Sequence, residues 1–367
     1  MFENLTKDYI QKKAPSTVIP SCMSVPAAKE KFGLKTVYKL ASNENPLGVS
    51  PKAMEAMQAA IPGSYLYSDS TRDKVLIAKL AERNGLSPEN VFIACGAANV
   101  LKHVSDVFIR PQDGCIIPSP AYPPYFFWVF KNGGSIVEVP CRPADQTLDV
   151  EGILAAVDSR TKLLFLCNPN NPTSTALPRD VVEGLLEKLP RDVIVVADEA
   201  YIDFSDDPAA LTLVPCLAKF PNLVVVRTFS KIYGMASVRM GYALACPEII
   251  SYLNKSMDAR SISTFGVEGA IAALDDEDFR QKTIANNKAE RAYLTEEISR
   301  MGYKVYASQS NFIWVDFGRV ARDVYNDLLP YGVIIRGDFH FARISIGLHI
   351  ENETLINALK DLQRQGK

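Results

Sequence analysis

Lys231 lies in Thr228-Phe229-Ser230-Lys231-Ile232-Tyr233-Gly234, directly after the apolar run Leu223–Val226, and Arg239 follows eight residues later. An amine at the end of a buried strand, between hydroxyls and a guanidinium, suits the capture of a phosphorylated aldehyde. The amine condenses with the aldehyde carbon as a Schiff base, while the hydroxyls and guanidinium take the phosphate. Taken alone, the same segment also reads as a solvated Lys and Arg on a loop. Four other segments bear on the choice. Asp198, in Asp198-Glu199-Ala200-Tyr201, closes the run Val193–Ala197 and so stands where open α/β sheets place ligands. A carboxylate there can hold a ring nitrogen protonated, or it can cap a helix. Asn168-Pro169-Asn170-Asn171-Pro172-Thr173 follows Leu163–Cys167; its X-Pro steps fix an extended turn that can aim the Asn171 amide at an oxygen, or form a plain turn. In Cys95-Gly96-Ala97-Ala98-Asn99, small residues at a helix start let backbone N–H groups approach a phosphate, and they equally suit a tight strand–helix connection. Tyr122, among Pro120, Pro123 and Pro124, suits stacking on a heteroaromatic ring or ordinary packing.

These groups sit at the ends of short apolar runs. From about residue 50 to 250 the runs Val91–Ala94, Cys115–Pro118, Ile136–Val139, Leu163–Cys167, Val193–Ala197, Leu223–Val226 and Met240–Ala245 alternate with amphipathic stretches such as Lys74–Arg83, Asn99–Ile109 and Val181–Lys188. Many runs are β-branched and apolar on both faces, as strands are when helices cover both sides of a mostly parallel sheet. The alternation predicts an α/β fold. Beyond about residue 255 the texture changes. A long polar, helix-forming stretch, Asp275–Met301, precedes Tyr303–Ala307, Phe312–Phe317, Val333–Arg336 and Arg343–Ile346, with a last helix near Glu351–Arg364. The expected division is an arm and part of a small domain over 1–45, a large domain over 46–255, and a smaller α+β domain over 256–367. The arm, Met1 to about Tyr38, is expected to pack on the small domain or on a neighbouring subunit.

Bulk composition excludes several classes. The 367 residues are 47% apolar and 22% charged with a formal net charge of −2, which gives no electrostatic reason to expect nucleic acid or an anionic membrane as partner. No apolar stretch approaches a membrane span, and Met1–Asp8 lacks a signal peptide's apolar core. Seven scattered cysteines without a CxxC pair read as reduced thiols of the cytoplasm. Three histidines without metal-ligand spacing argue against a zinc site or a Ser-His-Asp triad, so no metal is expected.

The phosphate turn, the aromatic, Asn-Pro-Thr, Asp-x-Ala-Tyr, Ser-Lys and the later Arg occur here in the order that resembles the cofactor site of pyridoxal-phosphate enzymes of class I/II, fold type I. Within them the chain is most similar to the histidinol-phosphate aminotransferase subfamily, through Lys39-Leu40-Ala41-Ser42-Asn43-Glu44-Asn45-Pro46-Leu47-Gly48, Ser50-Pro51-Lys52-Ala53, Tyr67-Ser68-Asp69, Ser310-Asn311-Phe312 and Arg343-Ile344-Ser345-Ile346-Gly347. The resemblance covers nearly the whole chain. It implies a large domain with a mostly parallel sheet covered by helices and a smaller α+β domain. It also implies pyridoxal 5'-phosphate as cofactor and a cytoplasmic homodimer whose active site is shared between subunits.

By the same resemblance Lys231, Asp198 and Tyr201 are the catalytic set. Lys231 carries the cofactor and moves a proton, Asp198 keeps the ring nitrogen protonated, and Asn171 and Tyr201 hold the ring 3-oxygen. Tyr122 stacks on the ring. Thr228, Ser230, Arg239 and the N–H groups of Ala97 and Ala98 form a phosphate cup, which Tyr67 completes from the partner subunit. Arg343 takes a substrate carboxylate or phosphate, Arg336 is a second anionic contact, and Asn45 contacts substrate. The implied reaction is ping-pong amino transfer from a donor such as glutamate, with histidinol phosphate and its oxo form, imidazole acetol phosphate, as the leading second pair.

Several positions depart from the subfamily: Ser174 after Asn-Pro-Thr, Gly96-Ala97-Ala98-Asn99 at the cofactor turn, Ser256–Ser263 at the small-domain entry, no tyrosine over residues 14–30, and a short loop between Arg336 and Arg343. Most cluster where specificity resides, and the one at the cofactor turn leaves its N–H cup intact. An aminotransferase of aromatic or specialised-metabolism amino acids, and a decarboxylase of the threonine-phosphate type, therefore stay open. A dinucleotide-dependent oxidoreductase is disfavoured by the lack of a glycine fingerprint at the first βα turn, and a non-catalytic binding protein by the complete Lys-Asp-Asn-Tyr-Arg set.

Overall fold

The computed structural model describes residues 22–68, 70–258 and 260–367. The N-terminal arm is thus outside the described residues up to position 21, and its remainder forms the helix Val25–Phe32 and the short strand β1 (Tyr38–Lys39). Ser24 caps the helix by accepting the Ala27 N–H, and Gly33 ends it with φ +65°. Ala28, Leu40 and Ala41 are buried in the same cluster as the core of the small unit, so the described part of the arm packs there.

The large unit is built on seven strands: β2 (Val91–Ala94), β3 (Gly114–Ser119), β4 (Ser135–Pro140), β5 (Thr161–Cys167), β6 (Ile194–Asp198), β7 (Leu223–Thr228) and β8 (Gly241–Ala245). Their order across the sheet is β2-β8-β7-β6-β5-β3-β4, parallel throughout except that β8 runs antiparallel to both neighbours. Side chains alternate between faces along a strand, and both faces here are covered. Leu164, Leu166, Val195, Ala197 and Val225 join one buried cluster, and Leu163, Phe165, Cys167, Val196 and Val224 join the other. That two-sided burial is why the runs read as continuously apolar.

The small unit has its own core. The 24-residue helix Glu277–Arg300 leads into β9 (Lys304–Val305) and β10 (Phe312–Asp316), then the helix Ala321–Leu328, β11 (Val333–Ile334), β12 (Ala342–Ser345) and the helix His349–Arg364. β12, β10 and β9 form an antiparallel sheet, and β1 pairs in parallel with β11. Tyr38–Lys39 is thereby tied to the C-terminal part of the chain.

The helix Thr264–Leu274 lies beyond the expected boundary near residue 255. Val267, Ala270, Ile271 and Ala273 of the helix Thr264–Leu274 lie in a core cluster of the large sheet, beside Ala53, Leu76 and Met235. The helix is rich in small residues, which allow that approach. A Cβ on Gly266 would fall 2.8 Å from Met240 Sδ, and one on Gly269 2.9 Å from Met57 Cγ. No described helix is long and apolar enough to cross a membrane.

Candidate active site

The carboxyl ends of β5, β6 and β7 face the small unit across a cavity of about 580 Å³. Ends of parallel strands converge there because each strand hands over to a loop before its covering helix. Residues from both units line it: Ala97, Ala98, Tyr122, Asn171, Asp198, Tyr201, Thr228, Ser230, Lys231 and Arg239 from the large one, Arg336 and Arg343 from the small one. All twelve were singled out from the sequence.

Lys231 occupies the floor. Its Nζ donates to the Ser42 carbonyl at 3.1 Å and lies 5.9 Å from the centre of the Tyr201 ring. Burial, followed by the charge of Arg343, pushes its amine down to about 8. An amine so placed can give up and retake a proton near neutral pH.

Asp198 is 4% exposed. Its Oδ2 accepts from the Tyr125 hydroxyl at 2.6 Å and its Oδ1 from the Ala200 N–H at 3.1 Å. Burial raises its carboxyl above the ordinary range, and these two donors oppose the rise. The helix-capping alternative does not apply, because the short 3₁₀ turn Ile202–Phe204 that follows starts after Tyr201. Tyr125 is held by stacking on Phe165, with centroids 4.5 Å apart and planes 7° apart, and it meets Tyr122 edge-on.

The Asn171 amide is used at both ends. Its Nδ2 donates to the Tyr201 hydroxyl at 3.2 Å, and its Oδ1 accepts from Arg343 Nη1 at 2.6 Å. The peptide bonds before Pro169 and Pro172 are both cis. Arg343, also 4% exposed, spends Nη2 on the Ala41 carbonyl at 2.6 Å, and its buried Nε has no partner among the described residues. Burial pushes this guanidinium down to about 10, where it remains cationic at neutral pH.

At the opposite end a cup forms around the helix Ala97–Phe108. Its first N–H groups have no intrahelical acceptor and no side chain caps it, so Ala97 and Ala98 present donors at the positive end of the helix. Gly96 sits at φ +86°, and a Cβ there would lie 2.5 Å from Arg239 Nη2; one on Gly241 would lie 2.3 Å from the Ala97 nitrogen. Bare glycines thus let guanidinium, helix start and β8 close on one another. Arg239 Nη1 donates to the Ala236 carbonyl at 2.7 Å, and Thr228 Oγ1 accepts the Ser230 N–H at 3.0 Å.

Two expected contacts lie outside the cavity. Asn45, expected to touch substrate, instead donates its amide to the carbonyls of Lys231 and Ile232 at 3.3 and 3.1 Å, fixing the loop that carries Lys231. A side chain surrounded by carbonyls is held by their demand for donors. Tyr67 is 80% exposed, with the Arg260 guanidinium over its ring; its neighbour Asp69 lies outside the described residues. Sequence reasoning missed Tyr125 and Asn43. Asn43 adopts φ +54°, donates Nδ2 to Tyr201 at 3.2 Å, and takes the Ser345 hydroxyl on Oδ1 at 2.9 Å. Its signals were its place in the Lys39–Gly48 segment and an Asn in a polar turn, a residue type that tolerates the left-handed region.

The donor set fits a phosphorylated aromatic aldehyde. Lys231 offers the amine, the cup offers N–H groups and a cation, and buried Asp198 offers a carboxylate. The class I and II aminotransferase family profile matches residues 35–362. The histidinol-phosphate aminotransferase of Moorella thermoacetica is 38% identical over 342 residues, 91% of this chain and 87% of that protein. The enzyme of the same name from Halalkalibacterium halodurans is 36% identical over 91% of each chain. The crystal structure of histidinol-phosphate aminotransferase from Sinorhizobium meliloti in complex with pyridoxal-5'-phosphate superposes with a TM-score of 0.87 at 28% identity, over 97% of this chain and 100% of that one.

Proposed function

The chain belongs to the class I and II aminotransferases, and on that footing we propose that it is a pyridoxal-phosphate-dependent aminotransferase of histidinol phosphate, with glutamate as amino donor, working as a cytoplasmic homodimer. The observation that carries the reading is one cavity joining Lys231, Asp198 and the cup to two arginines of the small unit. When bound, pyridoxal phosphate supplies the aldehyde that takes up the amine and the ring that withdraws its electrons.

The chain's own residues supply the rest. Lys231 would hold the cofactor's aldehyde carbon and would move the proton at the substrate carbon that bears nitrogen. Asp198, whose carboxylate accepts from Tyr125 and Ala200, would hold the proton on the ring nitrogen. Tyr201 and Asn171 would hold the ring oxygen, and Tyr122 would pack on the ring. Ala97, Ala98, Thr228, Ser230 and Arg239 bind the phosphate, with Tyr67 of a second copy completing the cup. Arg343 binds the donor's carboxylate, and Arg336 faces the distal anion of substrate. The exposure of Tyr67 and its subfamily match favour a role across an interface.

The test is the visible spectrum of the cofactor-loaded protein before and after histidinol phosphate, with no acceptor present. Loss of the yellow colour to a pyridoxamine-phosphate band is expected. An unchanged yellow protein rejects this substrate, and a protein unable to take up pyridoxal phosphate rejects the whole reading.

A further inference from the structure

The wall that the small unit gives to the cavity carries a charge pair that amino transfer does not require. Arg336 Nε and Nη2 donate to Asp338 Oδ1 and Oδ2, both at 2.7 Å. Both side chains are sheltered, at 18% and 28% exposure, and both line the cavity. The Arg336 guanidinium lies over the Phe339 ring at 5.2 Å, and Phe339 packs edge-on against buried Trp314. The Arg336 backbone is tied to Arg343 by two hydrogen bonds of 3.0 Å, which hold both arginines on one wall. The Nε/Nη2 edge is the fork that matches a carboxylate or phosphate bidentately. Here a carboxylate of the chain already fills it.

We propose that Asp338 is the specificity-determining residue of the distal subsite, an internal counter-anion that a ligand's distal anion must displace from Arg336. The inference rests on reading the cavity as an amino-transfer site. A phosphate that displaces Asp338 gains two charge-assisted hydrogen bonds while the carboxylate loses two. One that binds beside it meets a like charge at close range. In both cases Asp338 weakens the hold on a distal phosphate, and a neutral distal group leaves the pair intact. The carboxylate therefore sets how strongly the cavity distinguishes a phosphorylated amine from its unphosphorylated counterpart.

The test is calorimetric titration of the cofactor-loaded protein with inorganic phosphate, the cup being filled by the cofactor, together with kinetics on histidinol phosphate and histidinol. Asp338→Asn and Asp338→Ala are each expected to bind phosphate about tenfold more tightly than the parent. The ratio of kcat/KM for histidinol phosphate over histidinol should rise by a similar factor. Adding Arg336→Met to Asp338→Asn should remove both gains. Phosphate binding that is absent, unchanged or weaker in both single variants overturns the proposal, since Asp338 would then orient Arg336 rather than compete for it. Tighter phosphate binding without turnover of histidinol phosphate upholds the proposal and defeats the substrate assignment.

Discussion

Replacing Lys231 by Met should abolish amino transfer and yet make the cofactor-free protein more stable at neutral pH. The amine sits at about 8 in the folded chain against 10.5 as its ordinary value. That gap, at ~1.4 kcal/mol per pH unit, is a cost of about 3 kcal/mol for holding the charged amine in the cavity floor. The sign follows from the depressed value. Below pH 8 folded and unfolded chains are both protonated and the cost is complete; it fades as pH rises from 8 to 10.5, above which both are neutral. Methionine fills similar space without the charge. It forfeits the hydrogen bond to Ser42, worth about 1 kcal/mol, so a net gain of about 2 kcal/mol is expected at pH 7. The assay is urea unfolding of cofactor-free parent and variant at pH 7, 8.5 and 10, at one fixed protein concentration because assembly shifts apparent stability. The advantage of the variant should shrink steadily across that series. A variant less stable than the parent at pH 7, or a difference constant with pH, refutes the argument that burial sets the lysine's proton affinity.

Tyr125→Phe removes the shorter of the two hydrogen bonds that oppose protonation of Asp198, a loss of about 1.5–3 kcal/mol for a buried charged acceptor. Asp198's folded value is raised, so its cost to the fold builds from the unfolded value upward and is complete above the folded one; the variant's loss in urea should be greatest at neutral pH and shrink as acid protonates the carboxylate. The absorption of the loaded variant should also titrate differently with pH, and spectra that overlay the parent at every pH would show that Tyr125 does not govern Asp198. Gly241→Ala sets a Cβ 2.3 Å from the Ala97 nitrogen, where only backbone can yield, so it should cost about 1–3 kcal/mol and weaken cofactor retention on dialysis. Parent-like retention would mean that β8 and the helix start are not held as closely as the cup requires.

What the sequence by itself determined was the large sheet and the chemistry at its edge. Strands covered on both faces must be apolar along their length, so Leu163–Cys167, Val193–Ala197 and Leu223–Val226 announced themselves. Because a strand's end fixes where the next residue emerges, Asn171, Asp198 and Lys231 were legible as neighbours though far apart in the chain. Tertiary structure alone decided matters that depend on a partner distant in sequence. The helix Thr264–Leu274 drew no reading from the sequence: small residues state only that something approaches closely, and Met57 and Met240 of the large unit proved to be what does. Asn43 and Asn45 share one polar turn, yet the first reaches Tyr201 and the second the backbone of Lys231. That division follows from the left-handed backbone at Asn43, which no spacing encodes. Tyr125 drew no reading from the sequence, because its acceptor, Asp198, stands 73 residues away. Arg336 read as an open anion contact until the turn that returns the chain to Arg343 placed Asp338 in its fork. Burial and periodicity are written along a chain, whereas the satisfaction of a buried charge depends on what the fold brings to it.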